Sequence, residues 1–178
     1  TMEEVKVLID NYTETDLQEA LLTKDNRNGR LLIHWACIHN VPLEVIQMLL
    51  DSDTNKKTIL EKDDHGQLPI HISCKQNAPV PVEVIQLLLD SDVDKKTIFE
   101  KDEDGQMPIH KACYGRSTLD VRQLKLESDD GKISCYGGTT VEVIQLLLES
   151  DVDKKAILQK DCYGQLPIHI ACEDGGPV

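Results

Sequence analysis

Four short stretches of this 178-residue chain each place a histidine three residues ahead of a cysteine. They read "GRLLIHWAC" (29–37), "GQLPIHISC" (66–74), "GQMPIHKAC" (105–113) and "GQLPIHIAC" (164–172). Imidazole and thiolate are both zinc ligands, and zinc takes four ligands at roughly 2.0–2.3 Å. His71 and Cys74, on one helical face, would supply two. The rest would have to come from a neighbouring copy, and copies stacked side by side lie about 8–10 Å apart, one helix spacing. That is too far for a shared ion. A buried cysteine otherwise behaves as a small hydrophobe, so the repeated pair reads as one packing solution used four times.

Other reactive residues gather no better. Cys135, Cys162, His39 and His65 could pair as nucleophile and base, but nothing local joins them and the chain has no glycine-rich phosphate loop. The acidic stretches "DSDVDK" lack the 12-residue loop, with glycine at its sixth position and a closing glutamate, that calcium requires. We therefore expect no catalytic residue, no cofactor and no metal. Six cysteines could form disulfides only if their Cα atoms approached within about 7 Å. Four share one repeated position, so reduced thiols are expected, with an intracellular, cytoplasmic location.

Composition narrows the class of partner. Net charge is −13 and aromatic residues make up only 3%, which argues against nucleic acid or an anionic membrane as the partner. No apolar run approaches the ~20 residues that span a bilayer, and the acidic "TMEEVKVLID" opening has no basic n-region of a signal peptide.

The elements that hold the His-x-x-Cys pairs recur with them. Successive histidines stand 37 (His34 to His71), 39 (to His110) and 59 (to His169) residues apart. A second block follows: "EVIQMLL" at 44, "EVIQLLL" at 83 and 142, then an acidic turn and "KKTILEKD", "KKTIFEKD" or "KKAILQKD". Pro69, Pro108 and Pro167 suit the first turn of a helix, where no N–H is needed. Ile70, Ser73 and Cys74 then fall on one helical face. The second block is apolar nearly all round, so it must be covered on several sides. A two-helix unit cannot do that alone, and neighbours must stack.

These residues resemble the ankyrin repeat, whose signature is D-x-x-G-x-T-P-L-H-x-A-A. Asp63, Gly66, Pro69, Ile70, His71 and Cys74 carry the likeness, as do Asp102, Gly105, Pro108, Ile109, His110, Ala112 and Cys113. So do Gly164, Pro167, Ile168, His169, Ala171 and Cys172, and more weakly Gly29, Ile33, His34, Ala36 and Cys37. The resemblance implies an all-α, ankyrin-type solenoid of helical pairs with β-turn or hairpin fingers. There are departures. The unit exceeds the family's usual ~33 residues, with the excess in the turn that holds "SDVDKKTIFEKD". Leu68, Met107 and Leu166 replace the threonine that bonds the histidine, whose partner would then be backbone of the next repeat. Leu32 replaces the proline of the first copy.

The expected organisation is one array over residues 1–178. Residues 1–25 form a partial repeat (its second helix), 26–62 and 63–101 are repeats, 102–160 an irregular repeat, and 161–178 a partial repeat (its first helix). Residues 113–134 match 135–156 at twelve positions, a partial duplication that leaves an insertion at about 114–137. Asp130-Gly131 between alternating segments favours a protruding hairpin there, with a spare helix as the rival. Further repeats or neighbouring subunits are expected at both ends.

What remains is binding. The resemblance implies a concave face, with variable first-helix sites at Trp35, Ile72, Lys111 and Ile170. The fingertips add Asp64, His65, Glu103, Asp104 and Tyr163, mostly acidic, which suggests a protein partner with a basic surface. The expected function is a non-enzymatic protein–protein interaction module or scaffold. The alternative is a regulatory or structural segment of a larger enzyme or multi-subunit assembly.

Overall fold

The computed structural model describes residues 2–75, 80–113 and 141–173. The chain there is helical, with no strand among the described residues. It opens with α1 (Met2–Asp10) and α2 (Glu14–Leu22). Pairs then follow: α3 (Leu32–Ile38) with α4 (Leu43–Ser52), α5 (Pro69–Cys74) with α6 (Val82–Ser91), and α7 (Pro108–Cys113) with α8 (Val141–Ser150). The last helix is α9 (Pro167–Glu173). Short 3-10 turns η1 (Thr58–Leu60), η2 (Lys96–Phe99) and η3 (Ala156–Leu158) precede the fingers.

Two helical layers run along the stack. The inner layer packs α3 on α5, α5 on α7 and α7 on α9, and the outer layer packs α1 on α4, α4 on α6 and α6 on α8. Each outer helix buries its aliphatic side and leaves a polar one outside, as Glu83, Gln86 and Asp90 do on α6. On α6 the side chains of Val84, Ile85, Leu88 and Leu89 are all buried, and full burial of one such side chain contributes about 1.5–3 kcal/mol. The insertion at 114–137 lies outside the described residues. The stack is continuous across it: α7 packs on α9 and α6 on α8 as their counterparts do.

The prolines act where expected. Pro69, Pro108 and Pro167 are the first residues of α5, α7 and α9. The histidine finishes each helix start. His71 Nδ1 accepts the Leu68 N–H at 3.1 Å, as His34 takes Leu31 (3.1 Å), His110 takes Met107 (3.2 Å) and His169 takes Leu166 (2.9 Å). An Nδ1 that accepts leaves the proton on Nε2, so the buried rings are donors there. His34 Nε2 donates to the Gln67 carbonyl (3.2 Å) and His110 Nε2 to that of Gln159 (3.1 Å). His71 Nε2 faces the carbonyls of Glu100 (3.1 Å) and Gln106 (3.2 Å). Main-chain carbonyls thus replace the missing threonine, from the next repeat at Gln67 and Gln106 and from the closing turn of the same repeat at Glu100 and Gln159.

The long turns have an internal logic that explains the extra residues. Asp53, Asp92 and Asp151 are buried directly after the outer helices. Asp53 Oδ2 accepts the Thr58 N–H (2.7 Å) and hydroxyl (2.8 Å). Asp92 takes the Thr97 N–H and Asp151 the Ala156 N–H, both at 2.7 Å. Lys56, Lys95 and Lys154 adopt positive φ of 51–53°, and their ammonium groups return to the carbonyls of Leu50, Leu89 and Leu148. A cation on the free carbonyls of a helix end is favourable.

Candidate partner-binding surface

The fingers are built on one aspartate each. Asp63 Oδ1 accepts the N–H groups of His65 (3.0 Å) and Gln67 (2.9 Å), closing a tight turn with the Asp63 N–H on the Gln67 carbonyl (2.9 Å). Asp102 does the same with Asp104 (3.0 Å) and Gln106 (2.9 Å), and Asp161 with Tyr163 (2.9 Å) and Gln165 (2.8 Å). The second carboxylate oxygen faces the preceding finger. Arg30 Nε reaches Asp63 Oδ2 at 3.2 Å, Gln67 Nε2 lies 3.5 Å from that of Asp102, and Gln106 Nε2 lies 3.3 Å from that of Asp161.

Main-chain bonds tie the tips into a row. The Asp64 N–H donates to the Asn28 carbonyl (2.8 Å), Glu103 to His65 (3.1 Å) and Cys162 to Asp104 (3.0 Å). A parallel staircase of lysines runs beneath: Lys24 Nζ donates to the Lys62 carbonyl (2.7 Å), Lys62 to Lys101 (2.9 Å) and Lys101 to Lys160 (2.9 Å). The tip residues Asp64, His65, Glu103, Asp104 and Tyr163 are all exposed. They form one stepped, largely acidic ridge.

The variable first-helix sites expected on the concave face are largely covered. Ile72, Lys111 and Ile170 are 8%, 6% and 2% exposed, and only Trp35 is half-buried. Ile72 belongs to the apolar core. Lys111 is drawn inward by charge, its Nζ lying 2.6 Å from Asp102 Oδ2 and 3.9 Å from Asp104 Oδ2. Burial opposes ionisation of Asp102, yet the Lys111 ammonium and the Gln106 N–H outweigh it and hold the carboxyl below its ordinary range.

Trp35 is fixed on three sides. Its indole N–H donates to Asp25 Oδ2 at 2.7 Å. The Arg30 guanidinium carbon lies 5.8 Å from the ring centre, within the range of a cation–π contact. His39 stacks on the ring at 5.3 Å with planes 8° apart. Arg30 and His39 were not among the residues expected to contribute. The spacing of His39, four after Trp35 on a helix, is the signal that could have found it.

The described cysteines divide into two groups: Cys37, Cys74 and Cys113 are buried, whereas Cys162 and Cys172 are exposed. Burial pushes the Cys37 thiol up to about 11 and Cys74 further still, away from the thiolate that metal binding or nucleophilic attack needs. Among the described residues no three His, Cys, Asp or Glu side chains gather as a metal site. No helix of the described residues is long and apolar enough to cross a membrane.

A family model for ankyrin repeats, in three copies, matches residues 2–98, more than half of the chain's 178 residues. No curated protein matches.

Proposed function

Because the chain belongs to the ankyrin-repeat family, whose repeats mediate protein–protein interaction, we propose that it is a non-enzymatic binding module that engages a partner through its fingertip ridge. One observation carries this reading. Asp64, His65, Glu103, Asp104 and Tyr163 are exposed on tips whose backbones are locked to one another. A rigid row presents its side chains without first having to order them, which lowers the entropic cost of binding. The edge of Trp35, clamped by Asp25, Arg30 and His39, is the aromatic anchor at one end of the face. Ile72, Lys111 and Ile170 support the ridge from beneath. The acidic tips favour a partner with a basic surface, and a cytoplasmic setting suits the exposed thiols of Cys162 and Cys172.

Capture with the intact chain, identification of the retained protein and remeasurement with that protein purified tests the proposal. Asp64→Lys with Glu103→Lys should weaken binding by about tenfold or more, because like charges across an interface cost several kcal/mol. Val152→Ser, in the exposed turn after α8, should leave it unchanged. Equal affinity for all three proteins would overturn the assignment.

The second reading, a structural or regulatory segment of a larger assembly, is supported by α9. Ile168 is 61% exposed and its counterparts Ile70 and Ile109 are 1% and 2% exposed, so a neighbour packed on α9 would bury it as they are buried.

A further inference from the structure

The outer helices present a second face that the fingertip reading does not use. Helices α4, α6 and α8 read LEVIQMLLDS, VEVIQLLLDS and VEVIQLLLES, with no lysine, arginine or histidine among them. Their exposed residues fall into register across the stack. Glu44, Glu83 and Glu142 occupy one row and Asp51, Asp90 and Glu149 another, all exposed. Between them runs a row of amides, Gln47, Gln86 and Gln145, the first two tied to Asp51 and Asp90 at 2.8 Å. Where α6 meets α8 the surface opens into a cleft of about 400 Å³ lined by Val82, Glu83, Gln86, Glu142, Gln145, Leu146 and Glu149. Its floor is the aliphatic pair Val82 and Leu146, each only partly buried. Its rim is three carboxylates.

We propose that this cleft and the two carboxylate rows dock a cationic, extended polypeptide segment that crosses the outer helices. An apolar floor with an anionic rim and no cation on the three helices matches an aliphatic side chain flanked by ammonium or guanidinium groups. Geometry sets the spacing. Adjacent helices lie about 8–10 Å apart, and a segment in the extended polyproline II conformation advances about 3.1 Å per residue with three residues per turn, so every third side chain faces the same way. A cation at every third residue therefore meets one carboxylate row at each helix, with the intervening aliphatic residue over Val82 and Leu146. Main-chain groups of the segment meet the glutamine row. This face lies on the outer layer, and the proposal is independent of the fingertip reading.

The probe is a synthetic peptide of about ten residues repeating Lys-Leu-Ser, compared with one of the same composition whose lysines are contiguous. Binding is measured by fluorescence anisotropy at roughly 0.1 M salt, where exposed charges more than about 10 Å apart are largely screened. The spaced peptide should bind at least fivefold more tightly than the clustered one. The triple variant Glu83→Gln/Glu142→Gln/Glu149→Gln should weaken the spaced peptide by tenfold or more. The variant Asp10→Asn/Glu14→Gln/Glu19→Gln, which removes the same charge from exposed positions elsewhere, should change it by less than twofold. Equal losses in both variants would assign the attraction to net charge and overturn the proposal. So would equal affinity for the two peptides, or no measurable binding by the wild-type chain. Failure here leaves the fingertip ridge untouched, since that partner is scored on different residues.

Discussion

The N–H of Cys162 donates to the carbonyl of Asp104 at 3.0 Å, joining two fingertips that stand 58 residues apart in the chain. In the preceding repeats the same bond joins Glu103 to His65 and Asp64 to Asn28. The irregular spacing between His110 and His169 therefore leaves the ladder of fingers unbroken.

Glycine substitutions test that continuity. Gly66, Gly105 and Gly164 have φ of +71°, +69° and +78°, so alanine at each costs about 1–2 kcal/mol for a left-handed backbone. At Gly105 the added Cβ also meets the Cys162 nitrogen at 2.9 Å, and at Gly66 the Glu103 nitrogen at 2.9 Å, whereas nothing lies within 4 Å at Gly164. Chemical denaturation should rank Gly66→Ala and Gly105→Ala as clearly more destabilising than Gly164→Ala. Similar losses at all three positions would mean that the fingers are not stacked as described.

Acid sensitivity should come from the buried histidines. Burial lowers His34 and His110 and takes His71 down to about 4 from its ordinary 6.5. Between those values the unfolded chain binds a proton that the folded chain refuses. The stability from His71 is thus fully present above pH 6.5 and is lost as pH falls towards 4, by about 3 kcal/mol at 1.36 kcal/mol per unit. Thermal melts from pH 7.5 to 4.5 should show this decline, and His71→Gln should flatten it.

Lys111 offers a test of buried charge. Its ammonium and the Asp102 carboxylate are 8% and 1% exposed as side chains, 2.6 Å apart. Lys111→Ile restores the residue type found at Ile72 and Ile170 but strands Asp102 in the interior. Removing one member of a buried pair costs about 3–5 kcal/mol. We expect the urea midpoint to fall accordingly despite the more apolar side chain; an unchanged or raised midpoint would show that the pair is not buried in solution.

Thiol labelling should separate the cysteines by place in the stack. Cys162 and Cys172 are exposed and Cys37, Cys74 and Cys113 buried, the last group needing local opening before alkylation. Among these five, brief treatment with a maleimide followed by peptide mass spectrometry should modify only Cys162 and Cys172, and all five once denaturant is added.

Much of the architecture was legible because it is periodic. Pro69, Pro108 and Pro167 marked helix starts through a missing N–H, and the all-round apolar "EVIQLLL" blocks demanded neighbours on several sides. The histidine's backbone partner was also foreseeable, since Leu68, Met107 and Leu166 removed the alternative. The burial of the first-helix sites is harder to read. Lys111 reads as a solvated cation until Asp102, nine residues earlier, is seen to approach within 2.6 Å. Ile72 and Ile170 follow the same rule in apolar form: whether a position on a short inner helix is open depends on what the stack places over it, which spacing alone does not encode. The outer-face carboxylates are inconspicuous in the sequence for a related reason. Each block carries only two, and only the register of three helices gathers six.

Alongside side-chain pairs such as Gln67 with Asp102, many of the bonds between repeats end on the main chain. His34, His71 and His110 address carbonyls, and so do Lys24, Lys62 and Lys101. A carbonyl is supplied by every amino acid. A newly copied unit would therefore find its acceptors waiting whatever side chains flank it, and such a chain can lengthen or shorten by whole modules without rewriting the seams.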